Sequence, residues 1–286
     1  MDITKFQIEP DSNFKLSDIS TDYSGKINNK EEGEKLLSAN IERMVDLQNK
    51  LYAQDKYGVL IIFQAMDTAG KDGAIKNVMN GLNPQATTVH SFKQPSAEEL
   101  DHDYLWRASK NLPERGQIGI FNRSYYEEVL VVKVHDLLKQ QQIPKELITD
   151  DVWKRRYRQM RDFEKYLCEN GVIILKFYLH ISKEEQKQRL LKRIDDKSKN
   201  WKFSAADIKE RQYWKDYQQC YEEAISATST KYAPWYVVPS DKKWFSRLVI
   251  SEIIDRTLEN LKLEYPEVNK EQQAVLKEYK QKLMGE

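Results

Sequence analysis

Hydrophobic residues in this chain fall into short unbroken runs separated by longer periodic stretches. Val59-Leu60-Ile61-Ile62-Phe63 is apolar throughout and rich in β-branched residues, the pattern of a strand buried on both faces of a parallel sheet. Thr87–Phe92, Ile118–Phe121, Val172–Leu179 and Tyr236–Val238 read as further strands. Between them the period changes. Leu36, Leu37, Ile41, Met44 and Leu47 recur at helical spacing across about 29–54, and Trp153, Tyr157, Met160, Phe163 and Leu167 form one stripe of a long helix that Gly171 stops. Tyr125–His135 and Lys242–Leu263 also read as helical. Pro95-Ser96, followed by Glu98 and Glu99, opens a helix, and Ser182-Lys183-Glu184-Glu185 resembles a capping box. Residues 1–29 are polar and irregular and read as an arm over the surface. A polar helix after Pro266 reads as an exposed extension or an oligomer contact. No internal repeat or low-complexity linker interrupts the alternation of strand and helix. The expectation is one domain over residues 1–286: an arm and helix (1–57), a core (58–181), a lid (182–215) and a closing strand with helices (216–286). The fold class is α/β, three-layered, around a mainly parallel sheet.

Composition changes this picture little. The 286 residues carry 46 Lys and Arg against 45 Asp and Glu, so an anionic partner must be held by local clusters and not by global charge. Two cysteines, Cys168 and Cys220, do not make a disulfide framework and suit a reducing cytoplasm. The N-terminal residues lack an apolar signal core, and no apolar run is long enough to span a bilayer; no membrane partner is expected.

The chemistry concentrates where the first apolar run ends. Ala65-Met66-Asp67-Thr68-Ala69-Gly70-Lys71-Asp72 lies between a strand and a helix, the context of a phosphate-binding loop. Ala65 stands where the pattern has its first glycine, and Asp72 where it has a magnesium-binding hydroxyl. Small residues (Ala69, Gly70, Gly73) let backbone amides close around phosphate oxygens, the helix adds its positive end, and Lys71 adds a full charge. Asp67 is placed to hold magnesium beside a phosphate chain or to orient an attacking oxygen. Asp72, at a helix start, is explained equally well as a cap.

A second cluster follows the Ile118–Phe121 strand. Asn122 and Arg123 stand at its carboxyl end, where ligands of such sheets bind and a guanidinium grips phosphate in a fork. Of the two carboxylates that follow, Glu128 is the candidate for a magnesium-supporting role and Glu127 reads as a solvated helix residue. Between Ser182 and Lys215 there are eleven basic residues against six acidic, with Trp201 and Trp214 interleaved. That composition suits a lid that closes over phosphates, and Arg189 and Arg193, four apart on one helix face, are its candidate phosphate contacts. Lys93 and Arg107 are candidates to face the crevice. The four histidines show no metal spacing, and no nucleophile elbow is present.

"FQAMDTAGKDGAIKNVM", "VHSFKQPSAEELDHDYLWR", "IGIFNRSYYEEVLVVKVH", "HISKEEQKQRLLKRIDD", "KNWKFSAADIKERQYWKDY" and "TSTKYAPWYVVPSDKKWFSRLVI", in order over roughly 58–261, resemble the family-2 polyphosphate kinases. The resemblance implies a P-loop kinase fold like that of thymidylate kinase, with a helical lid, and magnesium-dependent phosphoryl transfer between inorganic polyphosphate and nucleotides. Asn122 with Glu127-Glu128 resembles the subgroup called class III, which implies AMP and ADP as acceptors. Guanine nucleotides, a reverse reaction making polyphosphate, and a homo-oligomer (dimer or tetramer) are further expectations. Asp67, Gly70 and Lys71 match the family's first motif, Arg123 the second, Glu128 the subgroup's acidic position, Lys93 and Arg107 basic positions between the motifs, and Arg189 and Arg193 the lid. Two other readings are an ATP-dependent nucleoside monophosphate kinase, which the fold alone allows, and a non-catalytic polyanion or nucleic-acid binder, against which the Gly70-Lys71 turn argues.

Overall fold

The computed structural model describes residues 1–27 and 29–286; the side chain of Lys202, one of the basic lid positions, lies outside the described residues. Each segment expected as a strand becomes one, and a short N-terminal strand joins them: β1 (Gln7–Ile8), β2 (Gly58–Ala65), β3 (Thr87–Ser91), β4 (Ile118–Asn122), β5 (Val172–His180) and β6 (Trp235–Pro239). They lie in the order β1-β6-β5-β2-β4-β3. β2 pairs parallel with β4 and β5, β3 with β4, and β5 with β6, while β1 alone runs antiparallel, against β6. From β2 the chain moves outward to β3, returns to β4, and then crosses to β5 on the other side. The strand order therefore reverses around β2, and a crevice for ligands opens at the carboxyl ends beside such a reversal.

In chain order the α-helices among the described residues are α1 (Lys30–Gln54), α2 (Lys71–Val78), α3 (Ala97–Leu100), α4 (Trp106–Ser109), α5 (Val131–Val134), α6 (Val152–Glu169), α7 (Lys183–Asp195), α8 (Ala205–Glu210), α9 (Trp214–Thr228), α10 (Lys243–Asn260) and α11 (Lys270–Met284). α1 and α2 pack on α10, and α5 and α6 pack on α9. With helices on both faces, Val59–Phe63 is fully buried, as its lack of polar alternation requires. The expected caps form. Ser96 and Ser182 accept from the amides of Glu99 and Glu185, and Asn29 caps α1. Gly33, inside α1, is a close-approach position, because a Cβ there would stand 2.4 Å from Trp244 Cε3 on α10.

Two expectations are corrected. The N-terminal arm does not merely cover the surface: Phe6, Ile8, Phe14 and Leu16 are buried and β1 joins the sheet. Four apolar residues at irregular spacing carry no periodic signal, yet they join the core, and β1 pairs with the otherwise open backbone edge of β6. The Tyr125–His135 helix is broken. Tyr125–Val129 is a 3₁₀ turn, Leu130 leaves helical space at φ −112°, ψ −89°, and only Val131–Val134 is α-helical. The polar helix expected after Pro266 is present as α11, with every side chain exposed.

Candidate active site

After Ala65 the chain turns through Met66–Gly70, and α2 begins at Lys71. Gly70 takes φ +107°, open to glycine at little cost. The first intrahelical bond runs from Ala74 N to Gly70 O at 2.8 Å, so the amides of Lys71, Asp72 and Gly73 have no partner within the helix and project from its positive end. The loop's carbonyls are held from the other side. Gln186 Nε2 donates to Asp67 O at 3.0 Å, and Arg189 Nη1 donates to Thr68 O and Ala69 O at 3.0 and 2.8 Å. Arg189 Nη2 reaches Ser240 O and Asp241 O at 2.6 and 3.0 Å, and its Nε reaches Glu185 Oε1 at 2.7 Å. All five guanidinium donors are thereby used. Arg189, expected as a phosphate contact of the lid, here braces the loop carbonyls from within the protein. Gln186 is a loop-supporting residue that the sequence did not reveal.

Lys71 lies beside the loop with 15% of its side chain exposed, and Nζ is 3.9 Å from Asp72 Oδ1. Burial, with Arg123 nearby, pushes its ammonium below the usual lysine range. β4 delivers the second cluster. Arg123 N bonds to Phe63 O at 3.0 Å across the sheet, and the residue holds φ +63°. Its Nη2 is 3.4 Å from Asp67 Oδ1 and its Nη1 3.9 Å from Glu127 Oε2. Asn122 Nδ2 donates to Asp72 Oδ1 at 3.0 Å, so Asp72 is tied to the end of β4. Asp67, Arg123 and Glu127 line a cavity of about 730 Å³ with His135, Asp207 and Glu210. Burial of Glu127 outweighs its attraction to Arg123 and Lys71 and lifts its carboxyl above the ordinary range.

Glu127 and Glu128 have different surroundings. Glu127 shares the cavity with Asp67, whereas Glu128 accepts from Gln141 Nε2 at 2.7 Å and pairs with the buried Arg156. The physical reason is the 3₁₀ turn, which directs the two side chains otherwise than the α-helix expected there. Lys93, Arg107 and Glu128 line an adjoining cavity of about 400 Å³, which also touches Arg123 and Glu127. Arg107 is buried: it donates to Lys93 O at 2.9 Å and to Glu99 Oε2 at 3.2 Å, and lies 5.0 Å over the Phe92 ring. Arg193 Nη1 donates to Asp207 Oδ2 at 2.9 Å, joining α7 to α8.

Two cations at the start of α10 escaped the sequence reading. Lys243 carbons lie 3.9 Å from where a Gly70 Cβ would stand, and Arg247 Nη2 lies 3.5 Å from where a Gly73 Cβ would stand. Burial, together with Arg189, Arg247 and Lys192, pushes the Lys243 ammonium down. The signal was a basic pair four residues apart opening the helix after the last strand.

The donor set suits a hard divalent cation that keeps waters and phosphate oxygens in its shell. Asp67 is about one-third exposed, with Arg123 as its side-chain neighbour, and the buried Thr68 Oγ1 and Asn122 Oδ1 lack a hydrogen-bond partner. Among the described residues no group of three or more His, Cys, Asp or Glu side chains is arranged to hold a metal by itself, so phosphate oxygens would have to complete the shell.

Comparison with known proteins bears on this site. Residues 27–266 match the family model described as Polyphosphate kinase 2. The chain is 52% identical over 257 residues to an ADP-polyphosphate phosphotransferase of Rhodopseudomonas palustris, covering 89% of each. It is 44% identical over 264 residues to an AMP/ADP-polyphosphate phosphotransferase of Meiothermus ruber, covering 92% of this chain and 95% of the relative. The crystal structure of polyphosphate kinase 2 from Arthrobacter aurescens superposes with a TM-score of 0.86 at 38% identity, covering 96% of this chain and 95% of that one.

Proposed function

The chain belongs to the polyphosphate kinase 2 family, and from that membership we propose that it transfers the terminal phosphoryl group of inorganic polyphosphate to AMP and ADP with the help of magnesium. The observation that carries the reading at residue level is the convergence of Asp67, Lys71, Arg123 and Glu127 on the turn after β2. Lys71 and the first amides of α2 face the charge of the transferred group, and Arg123 grips phosphate across the crevice. Asp67 and Glu127 are the carboxylates that would hold magnesium. The ion, when bound, neutralises phosphate oxygens and fixes their orientation. Lys243 and Arg247 flank the other side of Gly70 and Gly73, where they lie in reach of the donor chain beyond its reacting end. Catalysis is then alignment and electrostatics, with no covalent intermediate on the protein.

Incubation with AMP, polyphosphate and magnesium, without ATP, tests the reading. ADP and then ATP should appear; an ATP-dependent monophosphate kinase would leave AMP untouched. Asp67→Ala should abolish turnover while polyphosphate still binds, and full turnover by that variant would refute the assignment.

A further inference from the structure

β5 is buried on both faces, yet Lys176 sits in its middle, paired in register with Ile62 of β2 and Trp235 of β6. Lys176 and Glu164 of α6 are both fully buried, with Nζ 2.6 Å from Oε2. The other lysine protons reach Tyr126 OH at 3.1 Å and Thr228 O at 2.8 Å, so all three donors have acceptors. Glu164 Oε1 accepts from Tyr125 OH at 2.9 Å and from Tyr126 OH at 2.7 Å. Thr228 Oγ1, 2.9 Å from Tyr126 OH, takes Trp235 Nε1 at 2.9 Å and donates to Ala224 O at 2.6 Å. Burial, with the Glu164 charge beside them, holds both phenols protonated.

A buried ion pair contributes little net stability, because desolvation offsets its attraction, and well-packed apolar residues often replace it without loss. Its place in the chain suggests another use. Tyr125 and Tyr126 lie between Arg123 and Glu127 and make up the first turn of the 3₁₀ segment that carries Glu127. Arg123 sits at φ +63°, a conformation that persists only where surrounding structure dictates it. The turn is also tied to β2, since Ser124 Oγ accepts from Gln64 Nε2 at 3.1 Å and from Tyr126 N at 3.2 Å.

We propose that Lys176 and Glu164 are positioning residues for phosphoryl transfer: through the Tyr125 and Tyr126 hydroxyls they clamp the 3₁₀ turn and so fix Arg123 and Glu127 against Asp67. The proposal rests on the reading of Arg123 and Glu127 as site residues given above. The pair touches no substrate. It sets the geometry of groups that do, and a displacement of about 1 Å at such groups costs up to ~10² in rate.

The test compares three variants with the native protein, each assayed for AMP phosphorylation from polyphosphate and for thermal midpoint. Tyr126→Phe removes one hydroxyl and keeps the packing; its kcat should fall about tenfold, with KM for AMP and for polyphosphate within twofold of native. Glu164→Leu combined with Lys176→Met replaces the pair by apolar groups; its midpoint should return to within a few degrees of native while kcat stays at least tenfold low. That split separates positioning from stability, since a merely structural pair would return kcat along with the midpoint. Combining Tyr126→Phe with Arg123→Lys should cost clearly less than the product of the two separate losses, because part of what Tyr126→Phe disturbs is the placement of the Arg123 guanidinium. Native kcat in the apolar double variant, or strictly multiplicative losses in the combination, would overturn the clamp. Full turnover by Arg123→Lys alone would instead overturn the reading of the site on which the clamp rests.

Discussion

Arg189→Lys separates two roles for a cation beside a phosphate loop. The guanidinium makes five hydrogen bonds: two to the carbonyls of Thr68 and Ala69, two to those of Ser240 and Asp241, and one to Glu185. Its side chain is 6% exposed, so solvent screens little of this. A lysine keeps the charge but offers three donors from a single point. It cannot reach both carbonyl pairs, and at least two bonds are lost with their acceptors left buried. At about 1.5 kcal/mol for each such bond, the loss is about 3 kcal/mol. For a chain of this size that lowers the thermal midpoint by roughly 5 °C. The loop loosens with it, so kcat should fall by about 10- to 100-fold, while KM for polyphosphate changes less. Thermal unfolding by circular dichroism and steady-state kinetics with AMP measure the two effects. A variant with native midpoint and a raised KM for polyphosphate would show that Arg189 binds the donor chain, and the brace would be refuted.

Glu127→Gln should lower kcat yet raise the thermal midpoint at pH 7. Because burial raises the Glu127 carboxyl in the folded state, its ionised form costs stability as pH rises through that raised value; the advantage of the glutamine variant should vanish below pH 4.5, its ordinary value, which midpoints measured across pH will show. Lys243→Ala with Arg247→Ala should raise KM for polyphosphate at least tenfold, leave KM for AMP unchanged, and reduce the salt dependence of polyphosphate KM by about two counterions; kinetics at several ionic strengths read all three. Gly33→Ala drives a Cβ into Trp244 and should cost about 1–3 kcal/mol, seen in denaturant titrations, with a secondary rise in polyphosphate KM because Lys243 adjoins the displaced ring.

The sheet was legible wherever burial on two faces demanded continuous apolar residues, as in β2, β4, β5 and β6, and at the edge strand β3 from its β-branched residues; helix starts were legible wherever a serine could serve as a cap, as at Ser96 and Ser182. The phosphate loop declared itself through a local pattern, small residues followed by Gly70-Lys71. What stayed hidden depended on contacts between distant segments. Arg189 is answered by carbonyls some 50 and 120 positions away, which no helical spacing records. Glu127 and Glu128 could be told apart only by knowing that their turn is 3₁₀, and nothing in the residue types there forbids an α-helix. The arm's two-residue strand is too short to show any alternation. Lys243 and Arg247 acquire a place beside the loop only through the fold, which sets the start of α10 next to Gly70 and Gly73.

Thr68 and Arg123 both hold left-handed backbone, at φ +62° and +63°, at a cost of roughly 1–2 kcal/mol each. Neither is glycine, and Thr68 is β-branched, so the tension is released whenever the crevice locally opens. Amide hydrogens of residues 66–70 and 122–127 should therefore exchange with deuterium sooner than those of β2 or β5. A bound polyanion should slow that exchange most at these same amides, giving a map of occupancy that needs no turnover.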